Sequence, residues 1–105
     1  MSYKLRISEL FFEKLEKMYD FYSIEKDNII LAEKKYTAIT KQISKLSEDP
    51  DLIRIIPQEP FHSKGLRRVS VEYYSIIFTV DEDAETVDIL DLFYAGSDYF
   101  EHLRS

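Results

Sequence analysis

The sequence predicts an α+β fold in which a two-helix hairpin packs on one face of a small twisted, mainly antiparallel sheet, with a short C-terminal helix. Three observations carry this expectation. Apolar residues recur at spacings of three and four from Ile29 to Leu46, over several helical turns. Two apolar strand-like runs, Tyr74 to Val80 and Thr86 to Tyr94, flank the polar reversal Asp81-Glu82-Asp83-Ala84. Neither pattern can bury its apolar face alone, so the helices must lie across one side of the sheet.

The elements follow in order. Tyr3, Leu5 and Ile7 alternate with Lys4 and Arg6, the pattern of a half-buried strand. Ser8 can cap the helix that follows, and Glu9 suits its positive end. Phe11, Leu15, Met18 and Tyr22 give that helix an apolar stripe, widened by Phe12 and Tyr19, and FYSIEKDN should stop it near Ser23. A second helix begins near Asp27 or Asn28 and buries Ile29, Ala32, Tyr36, Ile39, Ile43 and Leu46, while Glu33, Lys34, Lys35 and Lys41 face solvent. Ser47-Glu48-Asp49-Pro50 ends it, because the residue before proline leaves the helical region.

Residues 50–65, with Pro50, Pro57, Pro60 and Gly65, form an irregular connector. Leu66 to Val71 is a strand, Glu72-Tyr73 a tight corner, and Ser97 caps a short terminal helix holding Asp98, Tyr99, Phe100 and Leu103. Strict alternation places Val87, Ile89, Asp91 and Phe93 opposite Asp88, Leu90, Leu92 and Tyr94. Both faces of this last strand are largely apolar, as in a central strand covered twice. The helices cover one face, and a second polypeptide is expected on part of the other.

At 105 residues the chain suits one domain, 1–105, which can bury well over half of its unfolded surface. Without cysteine there is no disulfide, thiolate metal site or thiol nucleophile. No run of roughly eighteen apolar residues and no signal-like start occurs, so the expectation is a cytoplasmic protein away from the membrane. A net charge of -6 disfavours nonspecific binding of duplex DNA, which depends on cations replacing counterions. Eight tyrosines and seven phenylalanines suit core and interface alike. His62 and His102 lack ligand-spaced acids, so neither a metal nor any other cofactor is expected.

Tyr3-Lys4-Leu5-Arg6-Ile7-Ser8, the Ile39…Ile43…Leu46…Pro50 segment, Leu66-Arg67-Arg68-Val69, Tyr74-Ser75-Ile76-Ile77-Phe78-Thr79-Val80-Asp81, and Ile89-Leu90-Asp91-Leu92-Phe93-Tyr94 followed by Asp98-Tyr99 occur in an order and spacing that resembles the RelE/ParE superfamily. These are the toxins of bacterial type II toxin–antitoxin, or plasmid stabilisation, systems. The resemblance spans nearly the whole chain. It implies a cognate antitoxin that wraps the toxin into a hetero-oligomer. It also implies one of two targets, DNA gyrase or messenger RNA cleaved on the ribosome. The ribonuclease branch has a basic sheet face whose arginines stabilise the scissile phosphate. This sequence departs from that pattern. Ser75 stands where the middle strand of the family carries arginine, and Ala95-Gly96-Ser97 replaces the arginine positions before the final Asp-Tyr. Phosphoryl transfer builds negative charge that cations stabilise, so these losses count against ribonuclease activity unless Lys64, Arg67 or Arg68 substitutes.

Arg67, Arg68 and Tyr99 are accordingly the candidates for catalysis. Tyrosine needs a cationic neighbour to act as a base near neutral pH, and none is evident around residues 95–99. Lys64, Arg67, Arg68, Ser75, Ile77, Asp91, Phe93, Tyr94 and Tyr99 are candidates for binding an antitoxin or target. Adjacent strand residues face opposite ways, so one of Arg67 and Arg68 points into the groove, and the sequence leaves open which. Asp91, between Ile89 and Phe93, needs exposure or a basic partner, which Arg67 or Arg68 could supply across the sheet. The expected function is a toxin-like component neutralised by an antitoxin, with gyrase as the target that best suits the missing arginines. A ribosome-dependent messenger RNA endonuclease and a non-toxic, degenerate interaction module are the alternatives.

Overall fold

The computed structural model describes residues 2–95. Strand β1 (Lys4–Ile7) leads into helix α1 (Glu9–Asp20) and a turn of π-helix over Phe21–Glu25. Helix α2 (Ile29–Glu48) returns antiparallel and ends in a short 3-10 turn at Pro50–Leu52. After the connector come β2 (Arg67–Val71), β3 (Tyr74–Asp81) and β4 (Thr86–Tyr94). Both helix starts are capped as their residues suggest. The Ser8 side chain accepts from the Phe11 N–H at 3.1 Å, and Asn28 Oδ1 accepts from the Leu31 N–H at 3.0 Å. The terminal helix and its Ser97 cap lie outside the described residues. No described helix is long and apolar enough to cross a membrane.

The sheet order is β1-β4-β3-β2, with β1 parallel to β4 and the other pairs antiparallel. The final strand is therefore interior, as its two apolar faces require. Phe11, Leu15 and Met18 of α1 and Ile39, Ile43 and Leu46 of α2 pack on Ile76, Phe78, Val87, Ile89 and Leu92. This is the main core.

Strict alternation along β4 fails at one place. The register runs Phe78↔Ile89 and then Ile77↔Asp91, so Leu90 is an extra residue that bulges the strand. One inserted residue reverses the parity that follows. Leu92 consequently joins Val87 and Ile89 on the helix side instead of opposing them.

The second sheet face is not left entirely to another polypeptide. Ile56, Phe61 and Leu66 from the connector fold onto Ile77, with Leu90 and Phe93 packed against them, and form a second apolar cluster. The connector is pinned by the Ile56 N–H donating to the Leu66 carbonyl at 2.8 Å and by a bridge between Ile55 and Arg67. Proline-rich spacing had concealed a segment that supplies its own cover.

Helix α2 also differs in detail. Its buried row is Ala32, Lys35, Ile39, Ile43 and Leu46, whereas Ile29 and Tyr36 are exposed. Lys35, expected in solvent, sits inside because it falls on the same helical row as Ala32 and Ile39.

Candidate functional site

Strand β2 separates its two arginines. Arg67 shares a face with Val69 and Val71, which pack on the main core. Its Nη1 donates to the Ile53 carbonyl at 2.9 Å and the Pro50 carbonyl at 3.3 Å, and lies 3.4 Å from an Asp51 carboxylate oxygen. Arg67 thus ties the 3-10 turn to the sheet edge. Arg68 is exposed, pairs in register with Ile77, and lies on the second face with Leu66. Of the two, Arg68 is the one presented on the side away from the helices. Lys64 and His62 are exposed nearby on the connector.

Ser75 and Ile77 are each 1% exposed. Ser75 lies between Ser70 of β2 and Phe93 of β4, and Ile77 anchors the second cluster. Their side chains build the sheet rather than its accessible surface. Phe93 is half-buried beside that cluster, and Tyr94 is exposed with its ring 5.7 Å from that of Tyr74. Tyr99 lies outside the described residues.

Asp91 does find a cation, but neither Arg67 nor Arg68 supplies it. Lys14 of α1 reaches the Asp91 carboxylate at 2.6 Å, and the same oxygen accepts the Leu92 N–H at 2.7 Å. Nothing in the spacing of Lys14 and Asp91, far apart in sequence, announces the pair. Asp88 on the neighbouring stretch pairs with Arg6 across β1 and β4.

A second polar cluster closes the other end of the sheet. Lys35, only 5% exposed, places Nζ 5.0 Å from the Tyr22 ring, 5.4 Å from Tyr73 and 5.8 Å from Tyr74. The ammonium also donates to the Glu72 carbonyl at 3.1 Å. Aromatic faces can stabilise a desolvated cation, so this arrangement offsets part of the cost of burying it. The carbonyl belongs to the β2–β3 turn, whose Glu72 and Tyr73 have φ of 52° and 66°. Burial, and then a hydrogen bond with Tyr22, push the Tyr74 phenol well above its ordinary range. It is therefore a poor general base.

Between α1 and α2, on the far side from the sheet, Glu16, Tyr19, Asp20, Glu33 and Tyr36 line a cleft of about 470 Å³. Its carboxylates repel phosphate. Among the described residues no group of three or more His, Asp or Glu side chains could hold a metal ion. Arg6, Lys14 and Arg67 are thus engaged with carboxylates or carbonyls, and Lys26 and Lys35 with aromatic rings.

A family model described as the ParE toxin of the type II toxin–antitoxin system, parDE, matches residues 5–99. The chain belongs to that ParE family, within the RelE/ParE superfamily. No curated protein matches it significantly by sequence. Among solved structures, the chromosomal ParDE toxin–antitoxin system of P. aeruginosa aligns with a TM-score of 0.70 at 22% identity, covering 89% of this chain and 96% of that one. The RelBE2 complex of Mycobacterium tuberculosis gives 0.64 at 15%, covering 92% and 95%. The isolated RelE toxin of E. coli gives 0.61 at 13%, covering 98% and 96%. These likenesses establish the ParE-type fold over nearly the full length of each chain. Within this ParE-family chain, Lys14 and Lys35 are the engaged cations whose partners sequence reasoning missed. Only Lys35 left a trace, at helical spacing in a buried row.

Proposed function

We propose that this chain is the toxin half of a two-protein pair, held inactive by a cognate antitoxin, and that it acts by binding a protein target, DNA gyrase in the first instance. The observation that carries this reading is the state of the sheet where ribonuclease relatives would present arginine. The position is Ser75, buried between Ser70 and Phe93 of the flanking strands, and Arg67, farther along β2 opposite Phe78, is consumed by Asp51 and two backbone carbonyls. Blocking an enzyme requires surface complementarity and no phosphodiester chemistry, so the loss of these cations is tolerable for an inhibitor and damaging for a nuclease. An acidic net charge of -6 favours the same choice, since messenger RNA is a polyanion.

Brief induction of the chain alone, with and without the adjacent reading frame, tests the proposal. Growth arrest relieved by the neighbour, loss of plasmid supercoiling and intact messages are the expected outcome. Sharp new 5′ ends within codons would favour messenger RNA cleavage. Harmless overexpression would favour a degenerate module that keeps the fold.

A further inference from the structure

We infer that the groove between α1 and α2, on the side away from the sheet, docks a basic amphipathic helical segment of the antitoxin, whose arginine or lysine enters an acidic, tyrosine-walled cleft. The inference rests on the toxin–antitoxin reading above and adds the chemistry by which one part of the partner is held. The cleft has a volume of about 470 Å³ and is lined by Glu16, Tyr19, Asp20, Glu33 and Tyr36. That is ample for one long cationic side chain and lies within the range of small-ligand sites.

Two independent observations point to an outside occupant. The first is apolar surface that the chain's own core does not use. Phe12 and Tyr19 widen the stripe of α1, and Ile29 and Tyr36 extend that of α2, yet the main core takes none of the four. Phe12, Ile29 and Tyr36 are exposed, and Tyr19 is half-buried. Spacings of four and three put Phe12, Glu16 and Tyr19 on one side of α1, and Ile29, Glu33 and Tyr36 on one side of α2. The Tyr19 and Tyr36 rings meet between the helices, with centroids 6.0 Å apart and planes at 84°. Apolar residues at helical spacing along both rims suit a helix laid in the groove.

The second observation is charge. No described cation lines the cleft, and the Glu16 and Asp20 side chains make no ion pair or hydrogen bond with any described residue. Glu33 accepts the Tyr19 hydroxyl at 2.5 Å. That hydrogen bond, then burial and the neighbouring carboxylates, hold the Tyr19 phenol above its ordinary range, so it stays a neutral donor. Three carboxylates beside two aromatic rings complement a guanidinium or ammonium through charge-assisted hydrogen bonds and ring contact together. The backbone groups of α1 and α2 are spent within the helices, so the occupant must satisfy its own backbone, as a helix does. A rim with this much exposed apolar surface suits a lasting partner better than a transient target, because lasting interfaces are the more apolar. The net charge of -6 favours a basic segment in that partner.

The test uses the full chain and the product of the adjacent reading frame, purified separately and titrated by calorimetry at low and high salt. Glu16→Gln/Asp20→Asn/Glu33→Gln should weaken the complex about tenfold at low salt, and the gap from the parent should narrow at high salt. Phe12→Ser leaves charge untouched and should weaken it about fivefold at both salt concentrations. Asp83→Asn, on the acidic β3–β4 reversal, should leave affinity within about twofold of the parent. Thermal melts of the variants should stay close to the parent, because the substituted side chains are exposed. Inhibition of purified gyrase provides the second arm. Antitoxin affinity within about twofold of the parent in either the triple variant or Phe12→Ser would overturn the inference while leaving the toxin–antitoxin reading intact. An equal loss in Asp83→Asn would also overturn it, by tracing the effect to overall charge. Gyrase inhibition lost in the triple variant, with antitoxin binding unchanged, would overturn it and reassign the groove to the target. No complex with the parent chain would overturn both readings.

Discussion

Truncating Phe61 to alanine tests whether the connector is part of the folded core or merely lies on it. The ring is 1% exposed and packs with Ile56, Leu66 and Ile77, backed by Leu90 and Phe93. Those neighbours come from three segments, the connector, β3 and β4, so they cannot all collapse into the space left behind. Phe→Ala changes in such settings cost about 3–5 kcal/mol, counting lost transfer energy and residual cavity together. Set against a total of roughly 5–15 kcal/mol for a domain of this size, the variant should stand near its folding threshold. Phe61→Leu keeps most of the apolar volume and should cost less than about 1.5 kcal/mol. Equilibrium urea unfolding followed by far-ultraviolet circular dichroism measures both, with an unchanged slope showing that the same surface is exposed. A loss below about 1 kcal/mol for Phe61→Ala would refute the claim that the chain covers its own second sheet face.

Three further outcomes are expected. In a double-mutant cycle, Lys14→Met and Asp91→Asn should show a coupling of about 1 kcal/mol that shrinks in high salt, since the pair is only partly shielded at 34% and 14% side-chain exposure; independent effects would show that the contact contributes nothing. Glu72→Asn should raise stability by about 1 kcal/mol in urea, because asparagine tolerates the positive φ of 52° that glutamate holds under strain, and a destabilised variant would refute the strain. The Glu59 carboxyl is held below its usual range first by the Ser63 hydroxyl and then by the Ser63 N–H at 2.7 Å. Its folded value lies under its unfolded one, so its stabilisation is present above the ordinary carboxylate range and lost as pH falls through the folded value. The melting-temperature gap between the parent and Ser63→Ala should therefore close in acid, and a gap that widens there would contradict the assignment.

Periodic segments were legible and single insertions were not. The stripe of α2 and the apolar runs of β3 and β4 determined element type, order and the interior position of β4, because burial imposes a repeat on every residue of the segment. A bulge changes one residue in nine and leaves composition untouched, so Leu90 gave no warning that Leu92 would turn toward the helices. The connector failed for a related reason. Ile56, Phe61 and Leu66 follow no helical or strand repeat, and only their apolar character within a proline-punctuated stretch signals burial. Among the site residues, strand alternation correctly required Arg67 and Arg68 to part, while which one faced outward depended on the turn at Pro50–Leu52 that captures Arg67.

The deployment of charge connects these details to function. A fold of this family can present cations from its sheet, its connector or its helices, and each cation used to hold the chain together is withdrawn from a bound anion. Arg6 is committed to Asp88, Lys14 to Asp91, Arg67 to Asp51 and the 3-10 turn, and Lys35 to three tyrosine rings. Phosphodiester cleavage needs several convergent positive groups around one phosphate, with a proton donor or acceptor of shifted pKa beside them. The described surface has a small cleft at one strand edge whose lining mixes Arg54 and Arg68 with Ile55, Ile56 and Pro57, and a cleft of carboxylates and tyrosines between the helices. Separated patches of opposite sign with apolar ground between them can dictate the register of a long polypeptide laid across them, each patch rejecting the wrong charge. On the proposed reading such a surface has to select a protein partner and has no pentavalent phosphate to stabilise. On the inhibitor reading proposed above, the Ser75 position has only to pack, as its 1% exposure allows.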